Sequence, residues 1–573
     1  MLRNLPSTPQ ALIEWQWPEI ESHYKDLASR PLTASRADEW LTGWTRLGEK
    51  LEEMYARLLL ANSINTADKE AEQRLNKFLD TIFPLAMAAE QKLKEKLLAS
   101  KLEPEGFTNP LRNMRAEADL FREANLPLLA EQQKLSLEYD KIFGAQTVEW
   151  EGREVTLTQL RTVFEEPERN EREKAWRLVA GRQLADRKAV NELWQKFMAL
   201  RTTIAANAGK PSFREYAWQQ KLRFDYTPED SKSFQKAILE VAVPAASRIY
   251  ERRCRALGVD KLRPWDLTDG WYSRPPGPPG RPVLKPFKDI KEFKSKASAI
   301  FYKVDPQLGE YFDTMLEENL IDLENRKNKA PGAFCTSFTS LRRPFIFANS
   351  VGTHDDVMTI LHESGHAFHV FETARVKYIQ QLSVPMEFAE VASMGMELLA
   401  SPCLTRKDGG FYTQADAARA RVEHLERNIL FWPFMAVVDA FQHWVYENQE
   451  DGANADQCDA KWGEVWDCFI PGVDYTGLEE VRNTGWQRKP HIHQIPFYYV
   501  EYGLAQLGAV QIFGNALKDH KKAVADYRKA LSLGGMVTLP ELFTMAGAKF
   551  AFDADTLKKA IDLMERVISE LEQ

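Results

Sequence analysis

Two histidines four residues apart, with a glutamate between them, constrain this chain more than any other feature. In His362-Glu363-Ser364-Gly365-His366 the imidazoles share a face only if the segment is helical, because residues i and i+4 then stand one above the other about a turn apart. The flanking sequence asks for that helix. Thr353 with Asp356 three residues on has the form of a capping box, Val357, Ile360, Leu361, Phe368 and Phe371 supply an apolar stripe, and no proline intervenes before Pro385. Two nitrogens so placed can reach one tetrahedral ion, and Glu363, offset round the helix, can serve a water there without competing for the metal. Four of the ten histidines fall between His354 and His369, a clustering that argues against an accidental pair. His369 cannot easily close a tetrahedron from the same helix and is read as supporting or packing, and His354 as a helix-start residue. Gly365 inside a helix costs roughly 0.5–1 kcal/mol relative to alanine. A close approach by another element would account for it, and so would mere tolerance.

A third ligand is sought downstream. Ser383–Glu397 reads as a second helix with Pro385 in its first turn. Glu390 and Glu397, seven apart, lie on nearly one face, with Glu387 close to it. Their neighbours Phe388, Ala389, Val391, Ala392, Met394, Met396, Leu398 and Leu399 are apolar. Carboxylates in such a helix are expensive to bury without a cation or donors. One of them ligating a metal, with another orienting a ligand histidine, removes that cost. A last cluster is Pro490-His-Ile-His-Gln-Ile-Pro-Phe-Tyr-Tyr-Val-Glu-Tyr502. It reads either as an aromatic core segment with two surface histidines or as a set of imidazole and phenol donors for a developing oxyanion.

The rest of the chain is dominated by helical periodicity. Ala37–Leu60, Glu70–Leu98 and Glu171–Ala208 repeat apolar residues at three and four. Gly332–Phe338 and Pro344–Asn349, flanking a polar break at Thr339–Arg343, predict a β-hairpin. Arg263–Pro286, rich in proline and glycine between 274 and 282, predicts an extended surface loop or a flap over a cleft. At 573 residues the chain exceeds what one core supports. Its 75 basic and 83 acidic side chains are interspersed, giving a net charge of −8 and no basic run for nucleic acid. The five cysteines, Cys254, Cys335, Cys403, Cys458 and Cys468, are odd in number and widely spaced, which suits a reducing compartment. No signal-like start and no long apolar stretch occurs. The expectation is a cytoplasmic protein that engages neither membrane nor nucleic acid.

Taken together, His362-Glu-Ser-Gly-His-Ala-Phe-His, Glu387-Phe-Ala-Glu-Val-Ala-Ser and the His/Tyr segment resemble the M3 family of metallopeptidases, and most of all its oligoendopeptidase F branch. The resemblance covers most of the chain from about Trp265, including Gly332-Ala-Phe-Cys, Asn349 and Phe441-Gln-His-Trp-Val-Tyr. It implies a mainly α fold, a helical clamshell with a deep substrate channel and a small β-hairpin beside the zinc helix. An N-terminal helical region (1–190) and a catalytic region (191–573) would both line the channel. It implies one Zn2+ held by His362, His366 and Glu390, with Glu363 as general base and Glu397 supporting a ligand histidine. The transition-state donors align with His493, Tyr498 and Tyr502. Gly332, Ala333, Phe334, His491 and Tyr499 would contact substrate, the hairpin offering its edge to a peptide backbone. The implied activity is cleavage of short unstructured peptides. A catalytically idle peptide binder on the same scaffold, or a zinc hydrolase of a non-peptide amide, are the rival readings.

Overall fold

The computed structural model describes residues 4–157, 159–267, 284–326, 328–330 and 332–573. Helices carry most of it, with two small sheets. By its internal contacts the chain divides into two compact units, neither of them one continuous stretch. The first comprises Met1–Asp119, Lys285–Ala417 and Gly508–Phe550, and the second Leu120–Leu284, Ala418–Leu507 and Ala551–Gln573.

In the first unit the long helix Ala37–Ile64 buries Trp40, Leu41, Trp44, Leu47 and Leu58 against the helices that precede and follow it. The stretch expected as one helix over Glu70–Leu98 is two, Lys69–Thr81 and Phe83–Ser100. Pro84, which lacks an N–H, is tolerated only in the first turn of the second. Glu171–Ala208 is likewise two helices, Arg169–Ala185 and Arg187–Asn207, both in the second unit. They part at Asp186, whose carboxylate accepts from Gln146 and pairs with Arg182. Of Arg263–Pro286, read as an extended surface loop or flap, residues 268–283 lie outside the described residues; ahead of them Pro264–Asp266 form a buried 3-10 turn instead of an exposed loop.

β1 (Thr147–Trp150) and β2 (Arg153–Thr156), neither expected from sequence alone, form a two-stranded hairpin. Its two-residue turn, Glu151-Gly152, has positive φ at both positions, the conformation that suits the twist of the flanking strands. The sheet of the first unit runs β3 (Ile321–Glu324), β5 (Arg343–Ser350), β4 (Phe334–Phe338) in spatial order. β4 and β5 are the expected antiparallel hairpin, registered Phe334 to Phe347 and Phe338 to Arg343. Arg342 closes its turn in the left-handed region. β3 is an addition, joined in parallel to the other side of β5. Lys329 fastens the two together. Its ammonium, with no exposed surface, donates to the Asp322, Glu324 and Ala348 carbonyls and to the Asp322 carboxylate. With β5 in the centre, β4 is an edge strand.

The helix His354–Glu372 packs on β4 and β5 and against a second helix, Met386–Ala400. The capping box at Thr353 and Asp356 starts the first of these. The Asp356 carboxylate collects the N–H groups of Val351, Gly352 and Thr353, so β5 turns directly into the helix. No helix among the described residues is long and apolar enough to cross a membrane.

Candidate metal centre

The two packed helices meet at unusual proximity, and Gly365 is the reason. A β-carbon there would lie 2.4 Å from the Ala392 carbonyl oxygen and 2.6 Å from Ser393 Cα, both backbone atoms that cannot swing aside. Of the two explanations for a mid-helix glycine, the close approach is the one observed. Tyr527, fully buried, supports the same spot by donating its hydroxyl to the Ala392 carbonyl at 2.6 Å.

This contact brings His362 and His366 onto Glu390. The Glu390 Oε2 lies 3.5 Å from His362 Nε2 and 3.7 Å from His366 Nε2, and the three donor atoms lie within 4.8 Å of one another. Ligands about 2.0–2.1 Å from a tetrahedral ion stand about 3.3 Å apart. Two imidazole nitrogens and a carboxylate oxygen at these separations therefore fit a zinc-like dication. About a quarter of each imidazole remains accessible, whereas Glu390 is buried. Glu397 holds the other side of His362, its Oε1 2.7 Å from Nδ1. That contact directs Nε2 at the metal position, the usual arrangement of a carboxylate behind a ligand histidine. Ser393, absent from the sequence reading as a functional residue, donates at 3.0 Å to Glu390 Oε2 and is completely buried. A serine one turn after a glutamate in an otherwise apolar helix was the available signal. Glu387, though buried, is outside the donor group.

Three carboxylates around two imidazoles leave the pocket short of positive charge. Burial acts to lower the His362 pKa, but the Glu397 hydrogen bond and the charges of Glu397, Glu390 and Glu363 outweigh it and hold it at about 9 in the metal-free chain. His366, without such a partner, is pushed by burial down to about 4. Burial raises Glu363 to about 7, with His362 opposing and Glu390 and Glu397 assisting; the Cys335 backbone N–H donates to its carboxylate. Glu363 is thus tied to β4. His369 is enclosed, driven by burial to about 4, and interacts with the Leu531 backbone. His354 pairs with the Tyr412 hydroxyl at 2.7 Å. Ahead of β4, Gly332 sits at φ 92°, a conformation that favours glycine. Asn349 Nδ2 donates to the carbonyls of Ala330 and Gly332, at 2.6 and 3.1 Å. Beyond Ala333, Phe334 stacks on Phe347.

The His/Tyr segment belongs to the second unit, and there the two histidines part company. His491 lies 5.6, 5.0 and 6.0 Å from the rings of Tyr498, Tyr499 and Tyr502, and Tyr498 and Tyr502 are 4.9 Å apart. His493 does not join them. It is 0% exposed, stacked on Trp486 and Tyr139 with Trp194 at its edge. The expectation that set His493 beside Tyr498 and Tyr502 is therefore corrected: His491 occupies that place, and His493 is core. Burial keeps both neutral, His491 at about 4 with help from Lys489 and Lys221, His493 at about 3. Tyr499 is the most enclosed of the three tyrosines, packed on Phe431 and Phe434.

The model of peptidase family M3 matches residues 162–561, and that of the M3 N-terminal domain matches 13–108. The chain belongs to peptidase family M3. Among its relatives is an oligoendopeptidase F homolog of Lactococcus lactis subsp. lactis (strain IL1403), 23% identical over 394 residues, 65% of this chain and 60% of that protein. The match thus spans about three-fifths of the length of that relative. Among solved structures, "PZ peptidase A with inhibitor 2" superposes with a TM-score of 0.88 at 26% identity, covering 98% of this chain and 99% of the other. A structure described as oligoendopeptidase F also gives 0.88 at 26% identity, covering 96% of each. M3 membership implies a metal, and His362, His366 and Glu390 are the group that could hold it.

Two outcomes follow. Gly365→Ala forces the helices apart, and metal affinity falls about 10–100-fold, the range seen when the support of a ligand is disturbed; competition against a chromophoric chelator reads this, and unchanged affinity contradicts it. Metal uptake at pH 7 displaces about one proton, because His362 is protonated below about 9 and must give up its Nε2 proton to ligate. Affinity accordingly rises with pH up to that value. Calorimetry in two buffers of different ionisation heat measures the release, and equal heats in both would rule it out.

Proposed function

We propose that the chain is a zinc-dependent endopeptidase acting on short, unstructured peptides. The observation that carries this reading is the donor triangle of His362, His366 and Glu390 with Glu363 on the same helix beside it. Zinc bound there supplies Lewis acidity, polarising an oxygen ligand and making water acidic enough to attack at neutral pH. The remaining steps fall to side chains and backbone. Glu363, oriented by the Cys335 N–H, takes the proton of the attacking water at its carboxylate and returns it to the nitrogen of the leaving amine. Glu397 keeps the His362 Nδ1 proton in place, so the ring presents Nε2 throughout. β4, an edge strand running from Phe334, pairs with an extended peptide and so selects substrates whose backbone is free to add as a strand. Gly332, Ala333 and Phe334 lead into that edge. Tyr498 and Tyr502 are assigned, on resemblance to the family, as donors to the carbonyl oxygen as it gains charge; His491 takes the part expected of His493 because its ring lies 5.6 and 6.0 Å from theirs, and Tyr499 packs on Phe431 and Phe434. The five thiols, none in a disulfide, suit work in a reducing compartment such as the cytoplasm.

The test is cleavage of an internally quenched peptide by metal-stripped protein with and without one equivalent of zinc. Cleavage restored by zinc, and reduced about 10²–10⁴-fold in Glu363→Gln at unchanged metal content, is the expected result. Tight binding of one zinc with no cleavage, or near-normal turnover by Glu363→Gln, would overturn the proposal.

A further inference from the structure

Between His491 and Tyr498 the backbone makes a turn that side-chain sterics disfavour. Phe497 is fully buried at φ 65°, in the left-handed region where a bulky aromatic residue is a true outlier. Such a conformation persists only where its surroundings hold it. Here both peptide groups are held. The Phe497 N–H donates to Gln442 Oε1 at 2.7 Å, and its carbonyl accepts from Arg223 Nη2 at 2.5 Å. The same Nη2 donates to Glu501 Oε1 at 2.7 Å, in the first turn of the helix that carries Tyr499 and Tyr502. Arg223 and Glu501 expose 1% and 2% of their side chains, and the guanidinium lies 4.4 Å over the Trp218 ring. Neither group can exchange its partner for water. On the other flank, Arg201, completely buried, donates to the carbonyls of Ile492 and His493 and to the Tyr446 hydroxyl. The short turn bearing His491 and the helix bearing the tyrosines are thus each fastened by a buried arginine, and the strained residue lies between them.

We propose that Arg223 is a positioning residue for the reaction. By holding the Phe497 carbonyl and the Glu501 carboxylate with one nitrogen, it maintains the left-handed turn that sets Tyr498 against His491. It touches neither substrate nor metal. The inference rests on the reading of His491 and Tyr498 as donors. Relaxing Phe497 to an ordinary negative φ would redirect the next residue, Tyr498, and open its 5.6 Å ring contact with His491.

Arg223→Lys tests this, since lysine keeps a charge opposite Glu501 but its shorter ammonium cannot occupy the Nη2 position between both acceptors. The expected result is a kcat lower by about 10–100-fold, the scale of a roughly 1 Å misplacement, with KM and zinc per chain unchanged. The decisive readout is the cycle with Tyr498→Phe. If Arg223 acts through Tyr498, the double variant is no slower than Tyr498→Phe alone. Losses that multiply, or Arg223→Lys at the parent rate while Tyr498→Phe is slow, overturn the positioning role and leave the donor reading intact. Tyr498→Phe at the parent rate overturns the donor reading itself, and the positioning role with it. Should Arg223→Lys fail to fold by circular dichroism, Gln442→Met, which removes the Phe497 N–H acceptor and spares the Arg223–Glu501 pair, takes its place in the same cycle.

Discussion

Everything at the metal centre depends on how closely two helices approach at Gly365. That distance decides whether two imidazoles on one helix and a carboxylate on the next can meet at a single ion. A methyl group at position 365 would intrude to 2.4 Å of a backbone oxygen. Glycine here sacrifices helix propensity, by roughly 0.5–1 kcal/mol, for contact geometry. Tyr527 donates its hydroxyl to the same carbonyl. With the helices so placed, Glu397 behind His362 and Ser393 behind Glu390 orient two of the three donors without coming from any third element.

The same economy links the metal centre to the sheet. β5 runs into the helix His354–Glu372 through a turn whose N–H groups all converge on Asp356, so the register of the sheet determines where that helix begins. β4, the edge beside β5, gives one backbone N–H to Glu363. The strand proposed to receive substrate therefore also aims the proposed base. Lys329 anchors this sheet from its far side, replacing water by four protein oxygens around a buried ammonium. In the second unit the logic is one of strain rather than proximity. An aromatic residue held left-handed, its carbonyl fixed by the buried Arg223, separates the histidine from the tyrosines it faces.

Local physics made much of this legible in advance. The capping box at Thr353, the stripe of Val357, Leu361 and Phe368, and the apolar packing around Glu390 and Glu397 are short-range patterns, and each formed the element it predicts. The β4–β5 hairpin was equally readable. β3 was not, because a parallel partner is chosen by residues distant in sequence and four residues of Ile-Asp-Leu-Glu carry little periodicity. Pro84 and Asp186 broke helices that amphipathic spacing alone would continue. His491 and His493 show a limit of another kind. They are two residues apart in a single five-residue helical turn, so one faces the tyrosines and the other enters a cage of Trp486, Trp194 and Tyr139. Only the long-range packing of those aromatic rings distinguishes them. Length alone asks for more than one core, but which stretches share a unit is set by long-range packing, since each unit gathers three separated stretches.

The central claim is that one zinc ion is held by two imidazoles and one carboxylate across the Gly365 contact. Zinc K-edge X-ray absorption of protein loaded with one equivalent tests it most directly. The account predicts a first shell of nitrogen and oxygen only, at about 2.0–2.1 Å, with outer scattering from two imidazoles. A sulfur shell at about 2.3 Å, scattering from a single imidazole, or failure to retain one zinc per chain would contradict it.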